Sequence, residues 1–153
     1  MRDAFGGTFL MYMIIIFIVI YVTFLAAALK FVQAYRVKNQ IINYIEQYEG
    51  FDEDLKNKIE DEGGYLASVS YREGDVITGS VSSNIPESAG EKYCSEDYGY
   101  CVTMKYCSGN QAYYKVTTYL SLDLTKAWDN SPLLTLAVSG ETRLVRSNNV
   151  TCS

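Results

Sequence analysis

Four cysteines are the residues of this chain best placed to do chemistry: Cys94, Cys101, Cys107 and Cys152, all in the C-terminal half of 153 residues. Thiols either oxidise in pairs or, as thiolates, hold a metal. The six and five residues between the first three do not form the tight C-x2–4-C pairs that zinc sites use. An even count in a short polar domain predicts two disulfides and an oxidising compartment. If residues 100–106 form one extended strand, Cys101 and Cys107 stand ~20 Å apart, whereas a disulfide needs Cα atoms within ~7 Å. Two pairings remain: Cys94–Cys101 with Cys107–Cys152, or Cys94–Cys107 with Cys101–Cys152. Either one ties the C-terminus to the middle of the domain.

Other chemistries find little support. Histidine is absent, so the commonest general base is missing. There is no Gly-rich phosphate loop and no G-x-S-x-G elbow. The acids of residues 52–62 lack the alternation, central Gly and distant Glu of a calcium loop and read as a solvated helix face. The chain is therefore expected to be no enzyme and to use no cofactor or metal. A net charge of −5, with most acids after Gly50, argues against a nucleic-acid partner. Asn149-Val150-Thr151 matches a glycosylation sequon, a triplet common by chance. The fourteen tyrosines, against one tryptophan, are read as strand residues.

The elements that must position these groups begin with an uncharged stretch, residues 5–29. It is long enough to cross a bilayer, which takes about 20 apolar residues, and a lone segment in lipid satisfies its backbone only as a helix. Phe9, Met13, Ile16, Phe17, Ile20, Tyr21, Phe24 and Leu25 are its candidate membrane or filament-core residues. The apolar run stops at Lys30, but Phe31, Ala34, Val37, Ile41, Ile45 and Tyr48 continue at helical spacing between polar residues. With Gly50 as C-terminal stop, one helix is predicted over about residues 8–48, roughly 60 Å long at 1.5 Å per residue. The run is too long for the apolar region of a cleaved signal peptide, about 7–15 residues. Arg2 precedes it, whereas Lys30, Arg36 and Lys38 follow it, which by the positive-inside rule places the C-terminal part in the cytoplasm. The cysteines point to the other side of the membrane, and we follow them, because the basic residues sit on a continuing amphipathic helix.

After Gly50 the pattern divides the chain into a helix region, residues 1–50, and an extracytoplasmic, disulfide-linked α+β head, residues 51–153. A short helix over about 52–62 starts at Asp52, a good N-cap. Residues 65–71 alternate as a strand, followed by a turn at 72–75 and a second short strand at 76–80. Residues 82–92 read as a loop. Strands follow at 100–106 and 112–124, joined by a hairpin at 107–111. After a turn at 129–132, a last strand runs from 133 to 146 with a bend or bulge at Gly140. The expected fold is α+β: a long hydrophobic then amphipathic helix packed on a small antiparallel sheet of about four strands, with Tyr35, Ile41, Ile45 and Tyr48 as the helix–sheet contact.

This layout resembles the type IV pilin-like families, and among them the TadE-like pseudopilins of tight-adherence systems. The resemblance is carried by Phe5-Gly6-Gly7-Thr8-Phe9 opening the helix, by the helix through Tyr48, and by the closing strand at residues 134–142. It implies a subunit that sits in the membrane through residues 5–29 and then assembles by bundling its helices into a homopolymeric fimbrium for surface attachment, alone or with other pilus subunits. Such families are cut after a Gly and carry a Glu five residues further on; cutting after Gly6 or Gly7 would place Met11 or Tyr12 there, so neither feature carries over. The alternative is a monomeric, single-pass anchored binding or assembly-accessory protein.

Overall fold

The computed structural model describes residues 2–61, 63–69, 84–87, 89–95, 97–109, 111–122 and 134–146. Its elements run in the order α1 (Arg2–Tyr48), α2 (Glu53–Glu60), α3 (Tyr65–Ser68), β1 (Lys92–Cys94), β2 (Tyr100–Ser108), β3 (Gln111–Leu122), β4 (Leu134–Glu141) and β5 (Val145–Arg146). The chain divides into two units, residues 1–32 and residues 33–153. The first is helical throughout its described length. The fold class is α+β, a long apolar N-terminal helix with a small antiparallel sheet.

In the second unit the sheet order is β1-β2-β3-β4, with β5 also on β3. Every pairing is antiparallel. Tyr100, Val102 and Met104 of β2 and Ala112, Tyr114, Val116, Thr118 and Leu120 of β3 turn to one face and are buried. The period of two in the sequence thus selects the core face. Ala34, Val37, Ile41 and Ile45 from α1, Leu55 and Ile59 from α2 and Leu66 from α3 complete the core. Burying each of the valine, isoleucine and leucine side chains among these contributes about 1.5–3 kcal/mol, which anchors the short α2 and α3 far more firmly than helix propensity could.

Local chemistry sets the element ends. Asp52 caps α2, its Oδ1 accepting the Leu55 N–H at 2.9 Å, and Glu53 and Asp54 complement the helix dipole in the first turn. At the end of α1 the left-handed residue is Glu49, with φ 57°, and the Gly50 N–H closes back on the Ile45 carbonyl at 3.1 Å. This is the 6→1 bond of a Schellman ending. Gly50 was the expected stop, but the chain places Glu49 in the position where glycine is cheapest.

Three sequence expectations change. Residues 65–68 form a helical turn rather than a strand: the Ser68 N–H reaches the Gly64 carbonyl at 3.1 Å, and Val69 N–H reaches Tyr65 at 3.2 Å. Leu66 and Val69 are three apart: a strand would send them to opposite faces, whereas the helical turn brings both to the core, Leu66 fully buried and Val69, just past the turn, partly so. The end of the loop assigned to 82–92 instead enters β1. The bulge in the last strand lies after Gly140: Glu141 pairs with Lys115 and Val145 with Ala112, which leaves one extra residue between β4 and β5. Thr142 fills that break, accepting the Tyr114 N–H on its Oγ1 and donating its own N–H to the Tyr114 carbonyl, each at 2.9 Å. Residues 70–83, with their expected second strand and turn, the turn at 129–132, the sequon and Cys152 lie outside the described residues.

Candidate functional site

Two surfaces emerge, one in each unit. In the first unit, Phe9, Met13, Ile16, Phe17, Ile20, Tyr21, Phe24 and Leu25 are all exposed along α1. The most apolar window of the helix is 0% buried, and its length and composition suit a membrane span. Apolar side chains surround the helix here, so no single face is selected for a partner on the same chain. Exposure of this kind in water would leave a continuous apolar surface far beyond what soluble monomers tolerate. A surface of this kind is compatible with insertion in lipid.

The second unit contains the remainder of α1. Of the stripe expected to contact the sheet, Ile41 and Ile45 are fully buried, whereas Tyr35 and Tyr48 are 48% and 43% exposed. The buried register is Ala34–Val37–Ile41–Ile45 instead. The reason is close approach: small Ala34 lets the helix backbone come within reach of β3, and Thr118 Oγ1 donates toward the Ala34 carbonyl at 3.1 Å and the Val138 carbonyl at 3.3 Å. A tyrosine cannot occupy that spacing, so Tyr35 turns outward and Lys38 lies over its ring, 4.3 Å from the centroid. A Cβ at Gly140 would stand 2.9 Å from Ile42 Cδ1 and 3.1 Å from the Lys38 side chain, so a larger residue on β4 would push the ends of those two side chains aside. Gln33 adds a hydrogen bond from Nε2 to the Val69 carbonyl at 3.0 Å, and Glu46 accepts the Arg143 N–H at 2.8 Å. Glu46 and Glu49 face Arg143, Leu144, Val145 and Arg146 across a groove of about 450 Å³.

Cys94 and Cys101 are joined, with Cα atoms 4.1 Å apart. They stand directly opposite each other on β1 and β2, so the Cys94–Cys107 alternative is excluded. The pairing depends on β1, the strand that the polar composition of residues 82–92 concealed. Beside it lies a group that sequence reasoning missed. Glu60, at the end of α2, accepts the hydroxyls of Tyr93 and Tyr100 on Oε1, both at 2.6 Å, and its carbonyl accepts the Tyr98 hydroxyl at 3.0 Å. Phe51 packs on the Tyr93 ring at 5.4 Å. Burial, reinforced by the Glu60 charge, pushes both the Tyr93 and Tyr100 hydroxyls well above the usual tyrosine value of 10.0. They therefore stay protonated as donors, which suits a structural clamp between α2 and the sheet. The only trace of this in the sequence is three tyrosines within eight residues, and tyrosine spacing alone does not name a carboxylate partner.

Compared with known protein families, characterised proteins and solved structures, the chain matches none.

Proposed function

We propose that this protein is a structural subunit of a pilus-like extracellular filament, held in the membrane through residues 5–29 before assembly and serving surface attachment. The observation that carries the reading is the wholly exposed apolar surface of α1 in the first unit, on a helix that runs without a break into the head. A helix that leaves lipid must exchange it for other apolar surface. A bundle of identical helices provides this, and at ~1.5–3 kcal/mol for each buried apolar side chain the polymer is well held once water is the alternative. Bulky Phe17, Ile20 and Tyr21 interlock in such a bundle, while Ala26, Ala27 and Ala28 allow close approach. The partners are other copies of the chain and other subunits of the same filament, not nucleic acid. The role is mechanical rather than catalytic.

The test is negative-stain electron microscopy of material sheared from expressing cells, with mass spectrometry of what is recovered. Thin regular filaments built from this chain are expected, and the first residue detected reports whether the N-terminus is cut. Recovery of the protein solely as membrane-bound monomers would overturn the reading in favour of an anchored binding module.

A further inference from the structure

We infer that the exposed, lysine-bearing part of the sheet face opposite the core is a subunit contact, and that what it receives is the acidic face of α2 in a second copy of this chain. This rests on the filament reading above and specifies how neighbouring heads meet.

Residues directly opposite in an antiparallel pair share a face of the sheet. With Tyr100, Val102, Met104, Tyr114 and Val116 on the core face, the other face carries the row Lys92–Thr103–Lys115–Glu141. One pleat along lies the pair Tyr106–Tyr113, with Lys105 as the extra residue of the bulge between Met104 and Tyr106. Beyond it Gln111 pairs with Arg146. Lys92, Lys105 and Arg146 are exposed, and Lys115 is half-buried. Tyr106 is 47% exposed and stacks on Tyr113 with ring centroids 6.3 Å apart. Four cations against one carboxylate stand on this face of a chain whose net charge is −5. Among the described residues none of the four has an ion pair.

Helix α2 shows the opposite arrangement. Its lysines are turned back on tyrosines of their own chain: Lys56 lies 5.3 Å from the Tyr93 ring centroid, and Lys58 lies 4.7 Å from that of Tyr48 and donates to its hydroxyl. Asp52 is occupied as the cap and Glu60 by the tyrosine hydroxyls. Glu53, Asp54 and Asp61 remain exposed, with no ion pair among the described residues. Asp54 and Asp61 are seven residues apart, two helical turns, so they share a face at a spacing of about 10.5 Å. Lys92 and Lys115 are two strands apart, about 10 Å. The two rows match in sign and in spacing. The stacked tyrosines beside the lysines supply the amphipathic area that interface cores favour. Because the two surfaces are different patches of one chain, the contact is heterologous and propagates from copy to copy, as an open filament requires.

The test uses the full chain in the expressing cell and counts filaments recovered by shearing. Reversing the sheet face with Lys92→Glu and Lys115→Glu, or the helix face with Asp54→Lys and Asp61→Lys, is expected to cut recovery by about tenfold or more, because like charges then meet. Combining all four is expected to restore it. A second measurement does not depend on the reversed charges: a chain carrying Asp54→Cys and Lys115→Cys, treated with a short thiol-reactive cross-linker, is expected to give a ladder of covalent multimers. Wild-type recovery from the reversed chains, or intact filaments without a ladder, overturns the contact and leaves the filament reading standing. Filaments that capture a soluble polyanion through Lys92 and Lys115 also overturn it, since the face would then be open. Absence of filaments from the wild-type chain overturns the filament reading itself.

Discussion

One helix serves two solvents. In the first unit every large apolar side chain of α1 from Phe9 to Leu29 is exposed; in the second, Ala34, Val37, Ile41 and Ile45 of the same helix are all but inaccessible. The backbone is the same α-helix in both, so the difference lies in the side chains alone. Before Lys30 apolar groups lie all round the axis and stand exposed. After it they shrink to one stripe, and a sheet with one apolar face covers that stripe. The difference shows that the distribution of apolar groups around one helix axis, not the helix itself, decides what kind of surface can cover it.

Substitutions placed on each side of Lys30 separate the two regimes most sharply. Ile16→Asp with Ile20→Asp is expected to cost about 3 kcal/mol per residue in membrane insertion and, on the filament reading proposed above, to abolish filaments, while the head keeps its near-ultraviolet circular dichroism and its Cys94–Cys101 bond. A head that unfolds with the anchor would break the comparison. The converse change, Ile41→Ala, removes side-chain volume from the fully buried stripe and is expected to destabilise the head by about 3 kcal/mol, read as a lower denaturant midpoint in detergent, with the membrane-bound fraction unchanged.

How much of this was legible in the sequence follows the same division. Periodicity located the end of α1 and both ends of β2 and β3 closely, because each carries a repeat of its apolar positions, and the Asp52 cap with the Leu55–Ile59 pair placed α2; the start of α1, at Arg2 rather than about residue 8, lies where no such repeat exists. Periodicity failed where the run was short or the partner remote. Residues 65–68 satisfy a strand and a helical turn equally until Leu66 has a core to enter. Polar Lys92 beside Tyr93 and Cys94 reads as loop until β2 pairs with it. Tyr35 and Tyr48 lie on the apolar side of a helical wheel, yet the Thr118–Ala34 contact admits only small residues at that approach. The Glu60 clamp was invisible because its members are 33 to 40 residues apart, and no local pattern records such a distance.

That clamp gives the head a pH limit that the uncharged segment at residues 5–29 does not share. Tyr93 and Tyr100 have folded-state pKa values raised above the 10.0 of an ordinary tyrosine. Their contribution is therefore fully present below about pH 10 and is lost as pH rises, when the unfolded chain ionises and the folded one cannot. The thermal midpoint of the head should stay level through neutral pH and fall above about pH 10. Tyr93→Phe should cost about 1 kcal/mol at pH 7 by removing one hydrogen bond to Glu60 and should flatten the alkaline fall. An equally steep fall in the variant would show that the clamp is not its source.

The smallest effect lies where the helix ends. Glu49 holds φ 57°, a conformation that costs a residue with a Cβ about 1–2 kcal/mol, while glycine adopts it freely and loses about 0.5–1 kcal/mol through its freer unfolded chain. Glu49→Gly should therefore stabilise the head by about 0.5 kcal/mol, seen as a rise of about 2 °C in its thermal midpoint. Glu49→Ala keeps the Cβ and should give no such gain, which separates backbone relief from loss of the carboxylate. The Gly50 N–H to Ile45 bond sets where α1 stops relative to the buried Ile45. A gain in both variants would mean that the Glu49 carboxylate, set at the negative end of the helix dipole and beside Glu46, rather than the left-handed turn, is the costly feature at this end of the helix.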